Sequence, residues 1–305
     1  FLFTRFKAKA RMSMGCLLGK IILNRRLLIS FLALVFTSLN INGAEPKAQR
    51  IIALSPHSVE MLYLLGVGGQ IVATTSFADY PEEAKKIPVV GGYNGIQIEK
   101  VLSLEPDLII AWEGGNKLDD LDQLERLGLN VYRTQTNTLA EIAQELRQLG
   151  KLVGVPEKAG LEADSFLTGL AQLKERYAAK KTVRFFYQLW NQPLRAMAAK
   201  SWINEMLVGC GGENIFDESI GDYPQVSIEN VLAEKPELII IPSHHGRGLG
   251  EGDFWAKWPE IPAVQNNRIV YVNGDLLHRF SVRTLEGMKT VCEHLDDVRK
   301  ESTLN

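Results

Sequence analysis

Two hydrophobic rhythms alternate along this chain. Short runs such as Ile51-Ile52-Ala53-Leu54 are apolar at every position, and segments with apolar residues three and four apart follow them. The short runs suit strands buried on both faces of a parallel sheet, and the spaced segments suit amphipathic helices. One unit carries both rhythms and occurs twice. Ile98 to Trp112 reads IEKVLSLEPDLIIAW, and Ile228 to Pro242 reads IENVLAEKPELIIIP, offset by 130 positions. In each copy a short helix (Glu99 to Leu104, Glu229 to Glu234) meets a proline that ends it, and an Ile-rich strand follows. A helix-strand unit present twice predicts two similar α/β lobes; the alternative is chance likeness between two ordinary amphipathic units.

The rest of the pattern fits two such lobes. The first is expected to begin with the strand Arg50 to Leu54 and a helix from His57 to Leu65, with Ser55 as N-cap and Pro56 at the first helical position. Strands are predicted at Ile71 to Thr75, Val89 to Tyr93 and Val131 to Arg133, and helices at Leu118 to Leu127 and Leu139 to Val153. Lys158 to Lys180 is the longest helical pattern, roughly 35 Å if continuous, and lies between the two repeat copies. The second lobe is expected to hold a strand at Val183 to Leu189 and a helix at Trp202 to Val208. A loop through Gly211 to Asn214, a strand at Ile269 to Val272 and a terminal helix from Phe280 to Arg299 complete it. Alternating strands and helices predict open parallel sheets. The expected organisation is a leader over 1–44, an N-terminal α/β lobe over 45–157, a bridging helix over 158–181 and a C-terminal α/β lobe over 182–305.

The leader follows from charge. Residues 1–44 contain seven basic and no acidic residues, then an apolar core from Leu27 to Phe36 too short to span a bilayer comfortably. Small residues Asn42-Gly43-Ala44 close it, giving the layout of a cleaved secretory signal peptide, with an uncleaved anchor as the alternative. The chain begins with Phe, so Met12 or Met14 is a candidate start, and Cys16 precedes the apolar core, where a lipoprotein cysteine does not belong. Beyond Ala44 there are 27 basic and 36 acidic residues, a formal charge of −9. So acidic an exported chain is a poor partner for nucleic acid. No second apolar stretch is long enough to span a membrane, and a soluble monomer is expected. Two cysteines remain after export, Cys210 and Cys292; an oxidising compartment favours one disulfide between them, against two buried free thiols.

Several runs together resemble a family. They are Ile51-Ile52-Ala53-Leu54-Ser55-Pro56, the paired PDLII and PELII units, Ala111-Trp112-Glu113-Gly114-Gly115-Asn116, Cys210 to Phe216 (CGGENIF) and Tyr223-Pro224-Gln225-Val226-Ser227. They are similar to the periplasmic substrate-binding proteins with a helical backbone, which serve ATP-driven importers of cobalamin, haem and iron chelates. The cobalamin-binding members are the most alike. The resemblance covers nearly all of the chain beyond the leader. It implies two Rossmann-like lobes with parallel sheets bridged by one long helix, ligand bound between them, no catalysis, and delivery to permease subunits of an ABC importer. Cobalamin would be the transported ligand rather than a cofactor. It also implies that Glu99 and Glu229, matched in the two repeat copies, dock the protein on its transporter. Phe77 and Asp275-Leu276-Leu277-His278-Arg279 match ligand-contact positions. Phe77, Tyr93 and Tyr223 depart from the family, which leads one to expect Tyr, Trp and Trp.

The residues support a cleft independently. Ligands of open parallel sheets sit beyond the carboxyl ends of the strands. His57, Phe77, Tyr93, Trp112, Trp190, His244, His245, Asp275, His278 and Arg279 fall at those ends. A corrin is large, nearly flat and fringed with amides. It asks for aromatic walls, which Phe77, Tyr93, Trp112, Trp190 and Tyr223 can supply, and rim groups such as Asp275 and Arg279. Each aromatic has core packing as its alternative. Haem or a metal chelate is the second reading, because four of the five histidines lie at strand ends and imidazole binds iron and zinc. Motifs for hydrolases, P-loops and zinc peptidases are absent.

Overall fold

The computed structural model describes residues 48–219, 221–244 and 252–302, so the apolar leader and His245 lie outside the described residues. Strand β1 (Ile51–Ala53) leads into helix α1 (Pro56–Leu64). The Ser55 hydroxyl accepts from the Ser58 amide, and Pro56 occupies the first turn, where its missing N–H costs nothing. Strand β2 (Ile71–Thr74), a small hairpin of β3 (Gly91–Gly92) and β4 (Gly95–Ile96), helix α2 (Ile98–Ser103) and strand β5 (Leu108–Trp112) follow. Helix α3 (Leu118–Arg126), strand β6 (Val131–Thr134) and helix α4 (Leu139–Leu152) complete the first lobe. Its sheet has the order β2-β1-β5-β6, parallel throughout.

Helix α5 (Pro156–Tyr177) is 22 residues long, about 33 Å at helical rise, and carries the chain to the second lobe. It packs along α4 at Gly150, where a Cβ atom would lie 2.1 Å from the Cβ of Ala159, so only glycine permits the close approach. The second lobe holds β7 (Val183–Trp190), β8 (Arg195–Ala196), α6 (Trp202–Gly209), β9 (Gly212–Asn214), α7 (Ile228–Glu234) and β10 (Leu238–Ser243). Short helices α8 (Gly252–Trp255) and α9 (Pro262–Gln265), strand β11 (Ile269–Asn273), a helical turn α10 (Gly274–Leu277) and helix α11 (Thr284–Ser302) end the chain. Strands β9, β7, β10 and β11 form a parallel sheet in that order, with β8 antiparallel on β7.

The period-two geometry of a strand divides the buried side chains between cores. Ile51 and Ala53 of β1, Leu238 and Ile240 of β10, and Phe185 and Tyr187 of β7 share one core. That core runs along α5 through Ala159, Ala163, Phe166 and Leu170 and joins the two lobes. Ile52 and Ile109 face a second core inside the first lobe, with Val101 of α2. Phe186, Ile239 and Ile241 face a third, with Val231 of α7 and Trp255. Both faces of the central strands are therefore covered, as their unbroken apolar runs require. The disulfide forms between Cys210 and Cys292, with Cα atoms 5.0 Å apart.

The two repeat copies also share backbone detail. Glu105 and Lys235, 130 positions apart, both adopt left-handed φ, 44° and 49°, immediately before a proline. Proline disfavours a right-handed helical conformation in the residue before it, so each helix must turn out at that point. A matched unusual conformation favours genuine repetition over chance likeness.

Three expectations need correction. Val89 to Tyr93 is not one strand: Val89 bridges to Thr74, and the chain then folds into the β3-β4 hairpin. A Cβ at Gly91 would lie 2.5 Å from the Gly95 carbonyl oxygen, so glycine is what lets this turn close. The loop expected through Gly211 to Asn214 is instead edge strand β9, pinned by Asn214, whose amide donates to the Met197 carbonyl at 2.8 Å. The terminal helix begins at Thr284 rather than Phe280, because residues 279–283 are used between the lobes.

Candidate functional site

The carboxyl ends of the two sheets carry the groups that join the lobes. At the end of β5 the run Trp112-Glu-Gly-Gly-Asn116 makes a lock. Asn116 Oδ1 accepts from the Trp112 amide at 2.8 Å, and its Nδ2 donates to the Leu54 carbonyl at 2.9 Å, tying β5 to β1. Gly115 has no Cβ because one would stand 2.2 Å from the indole, which folds back over the backbone there. The half-buried Trp112 ring meets His57 edge-on at 5.2 Å and, from the second lobe, Phe280 at 6.2 Å. Phe280 stacks on Trp202 at 4.0 Å. An aromatic floor thus spans both lobes, in the tilted and edge-to-face arrangements that aromatic quadrupoles prefer. Burial, and next the charge of Arg279, push His57 down to about 3, so its imidazole is neutral.

An ionic clasp lies beside this floor. Arg279 Nη1 donates to Glu60 at 2.9 Å and to Asp79 at 2.8 Å. Its Nη2 donates to the Phe77 carbonyl at 3.2 Å and lies 3.1 Å from Asp275 Oδ1. Glu60 also accepts from Arg283 at 3.0 Å and from the Ser281 hydroxyl at 2.5 Å. Burial works against the Arg279 charge, yet its bonds to Glu60 and Asp79 outweigh that and raise its pKa. Arg283 further stacks its guanidinium 3.6 Å above the Tyr80 ring. Phe77, φ 69°, sits in the left-handed region, unusual for an aromatic residue, and the Arg279 bond to its carbonyl holds it there.

On the second lobe a polar chain runs outward from the sheet. The Tyr187 hydroxyl lies 2.7 Å from His278 Nε2, His278 Nδ1 3.0 Å from His244 Nε2, and His244 Nδ1 3.2 Å from Asp275 Oδ1. Burial pushes Tyr187 well above its ordinary range, with the neighbouring Tyr223 adding to it. Burial, then the adjacent His244, bring His278 down to about 3 against the pull of Asp275. The Asn273 side chain caps this turn by accepting from the Asp275 amide at 2.9 Å.

The sequence-predicted residues fall into three groups. Phe77, Tyr93, Trp190 and Tyr223 are exposed at 56, 78, 62 and 39 %, Tyr223 in the connection between β9 and α7. Trp112, Asp275, His278 and Arg279 are drawn together with the floor, chain and clasp. Leu276 and Leu277 are buried and hold the turn from beneath rather than presenting surface. Arg279 is buried as well, with its guanidinium committed to protein oxygens. Glu99 and Glu229 are exposed in the first turns of α2 and α7. The bond of Glu229 to its own amide, and next the Ser227 hydroxyl, lower its pKa. Sequence reasoning missed Glu60, Asp79, Ser281 and Arg283. One signal existed for Glu60: a lone acid inside an otherwise apolar helical stretch needs a cationic partner. Among the described residues, no three His, Cys, Asp or Glu side chains are grouped to hold a metal ion, and no helix is long and apolar enough to cross a membrane.

Known proteins share this architecture. A family model described as periplasmic binding protein matches residues 51–276. The vitamin B12-binding protein of Vibrio campbellii is 40 % identical over 259 residues, covering 85 % of this chain and 93 % of that relative. The vitamin B12-binding protein of Yersinia pestis is 35 % identical over 251 residues, covering 82 % and 88 %. The crystal structure of the periplasmic vitamin B12 binding protein BtuF of Vibrio cholerae aligns with a TM-score of 0.76 and 39 % identity, covering 83 % of this chain and 98 % of that one. The periplasmic heme-binding protein RhuT of Roseiflexus sp. RS-1 reaches a TM-score of 0.75 at 22 % identity, covering 83 % and 99 %, a likeness of fold alone.

Proposed function

This chain belongs to the periplasmic binding protein family, and we propose that it captures cobalamin between its two lobes and delivers it to an ABC-type inner-membrane importer. The observation that carries this reading is 40 % identity over almost the full length of a vitamin B12-binding protein. Solved heme-binding neighbours share the fold at only 20 to 22 % identity. The chemistry at the strand ends agrees. Four exposed aromatic rings offer apolar walls for a flat macrocycle, and the partly buried Asp275 just after β11 would accept from a peripheral amide of it.

A histidine that ligates haem iron needs a ring nitrogen lone pair free to reach it, and none of the described histidines offers one in the open. His244 and His278 each use both ring nitrogens within the chain from Tyr187 to Asp275. His57 is buried with Nε2 against the Ser55 hydroxyl at 3.2 Å, and His294 lies on terminal helix α11. Cobalamin brings its own axial groups and makes no such demand.

In this reading the protein is a non-enzymatic carrier, exported by its cleaved N-terminal segment and acting as a monomer. Glu99 and Glu229 supply one carboxylate per lobe, one for each half of a dimeric permease, where arginine grips a carboxylate through two parallel hydrogen bonds. Absorption spectra of the purified protein mixed separately with cobalamin, haem and zinc test the ligand. A perturbed corrin spectrum with unchanged haem and zinc spectra is expected; a haem Soret shift with no corrin change contradicts it.

A further inference from the structure

Two residues expected at the ligand come from opposite lobes and meet the same nitrogen. Arg279 Nη2 donates to the Phe77 carbonyl of the first lobe at 3.2 Å and lies 3.1 Å from Oδ1 of Asp275 in the second. The neighbouring Nη1 donates to Glu60 at 2.9 Å and to Asp79 at 2.8 Å, so the planar guanidinium cannot turn without breaking bonds on its other arm. Phe77 has a φ of 69°, a left-handed conformation that the Cβ of an aromatic residue disfavours, and the residue is 56 % exposed. The chain on either side of it is fixed. Ser76 donates from its amide and its hydroxyl to the Gly91 carbonyl, at 2.9 and 3.3 Å, and Ala78 is buried in the core shared by the lobes. Gly91 opens the β3-β4 hairpin, whose tip carries Tyr93. A strained conformation persists where its surroundings over-determine it, and such residues cluster at ligand clamps.

We propose that Arg279 is a positioning residue of the cleft: from the second lobe it fixes the main chain of Phe77, and with it the ring that Phe77 presents to the ligand, at a set spacing from Asp275. This rests on the reading of the strand ends as a cobalamin site. A wall that stands in place before the ligand arrives removes the ordering that capture would otherwise require. Through Ser76 the same hold extends to the hairpin that carries Tyr93. Lysine separates this role from charge. A lysine ammonium is one nitrogen, so it can keep the ion pairs with Glu60 and Asp79 but lacks the second nitrogen that reaches Phe77 and Asp275.

Two measurements on the full mature chain test this. The first needs no ligand. Fluorine NMR with para-fluorophenylalanine at position 77 should give one narrow resonance in the otherwise wild-type protein and a broadened or split one in Arg279→Lys. Several resonances without the substitution, or an unchanged line with it, would overturn the proposal. The second is a double-mutant cycle by titration calorimetry with cobalamin. Arg279→Lys should weaken binding about tenfold with Phe77 in place and about threefold or less beside Phe77→Ala, because most of the effect passes through Phe77. An equal loss in both backgrounds would overturn positioning, since Arg279 would then act on the ligand directly or on the fold at large. Absence of cobalamin binding by the wild type would instead overturn the ligand reading, and the fluorine spectra would decide the positioning role by themselves.

Discussion

Glu60 and Arg279, 219 positions apart in sequence, meet at 2.9 Å with side chains only 3 and 8 % exposed. Each comes from a different lobe, and each has further partners of opposite charge. Removing one member of a buried, hydrogen-bonded pair leaves the other charge uncompensated. Glu60→Ala should therefore destabilise the protein by about 3 kcal/mol, because Arg279 and Arg283 lose their shared acceptor. Urea unfolding measures this, and a loss below about 0.5 kcal/mol, the scale of an ordinary surface substitution, would contradict the clasp.

Acid should weaken the fold in a defined window. His57 is buried and held neutral, with its folded pKa near 3 against an ordinary value of 6.5. Below 6.5 the unfolded chain binds a proton that the folded one refuses, so stability rises with pH there and is lost as pH falls from 6.5 towards 3. The slope is about 1.4 kcal/mol per pH unit for His57. His278, brought down to about 3 chiefly by burial, acts in the same direction, with a smaller effect because the residue as a whole is only partly buried. Unfolding free energy followed between these limits should show this fall, and His57→Asn should remove most of it; a flat profile would contradict the buried neutral imidazole.

The architecture was legible in the sequence wherever local pattern decides structure. The repeated helix-strand unit, the unbroken apolar strands and the long bridging helix all follow from periodicities of 2 and 3.6. Features fixed by distant partners were not legible. Gly212-Glu213-Asn214 has poor strand propensity, yet pairs with Val183 to Phe185 because Asn214 is pinned from the Met197 carbonyl. Arg279 was expected at the ligand, since an arginine at a strand-end loop suits an amide rim. Its acceptors Glu60 and Asp79 lie some 200 positions earlier, and no local pattern announces them. Leu276 and Leu277 were expected at the ligand only from the family resemblance, and both are buried in the turn they occupy.

The Cys210–Cys292 bond closes a loop of 82 positions between two fully buried residues. Cross-linking a loop of that length removes unfolded-state freedom, and its reduction should cost about 2–4 kcal/mol. Denaturant unfolding with and without reductant measures the difference. Two reactive thiols in denatured, unreduced mature protein would contradict the bond.

Substituting Glu99 and Glu229 tests the proposed docking role separately from ligand binding. Both are exposed, and neither joins the clasp or the aromatic floor. Each also favours the positive end of its helix, by about 0.3–1 kcal/mol at most. The double substitution to Ala should leave cobalamin affinity and melting temperature nearly unchanged while complex formation with the permease and uptake fall sharply. Normal transport by the double variant, or loss of ligand binding equal to the loss of transport, would contradict docking through these carboxylates.

Titration calorimetry of the mature protein with cobalamin, and in parallel with haem, bears most directly on what the cleft holds. One cobalamin per chain should bind with measurable heat, while haem gives none at the same concentrations. Absence of heat with cobalamin together with tight haem binding would contradict the cobalamin reading.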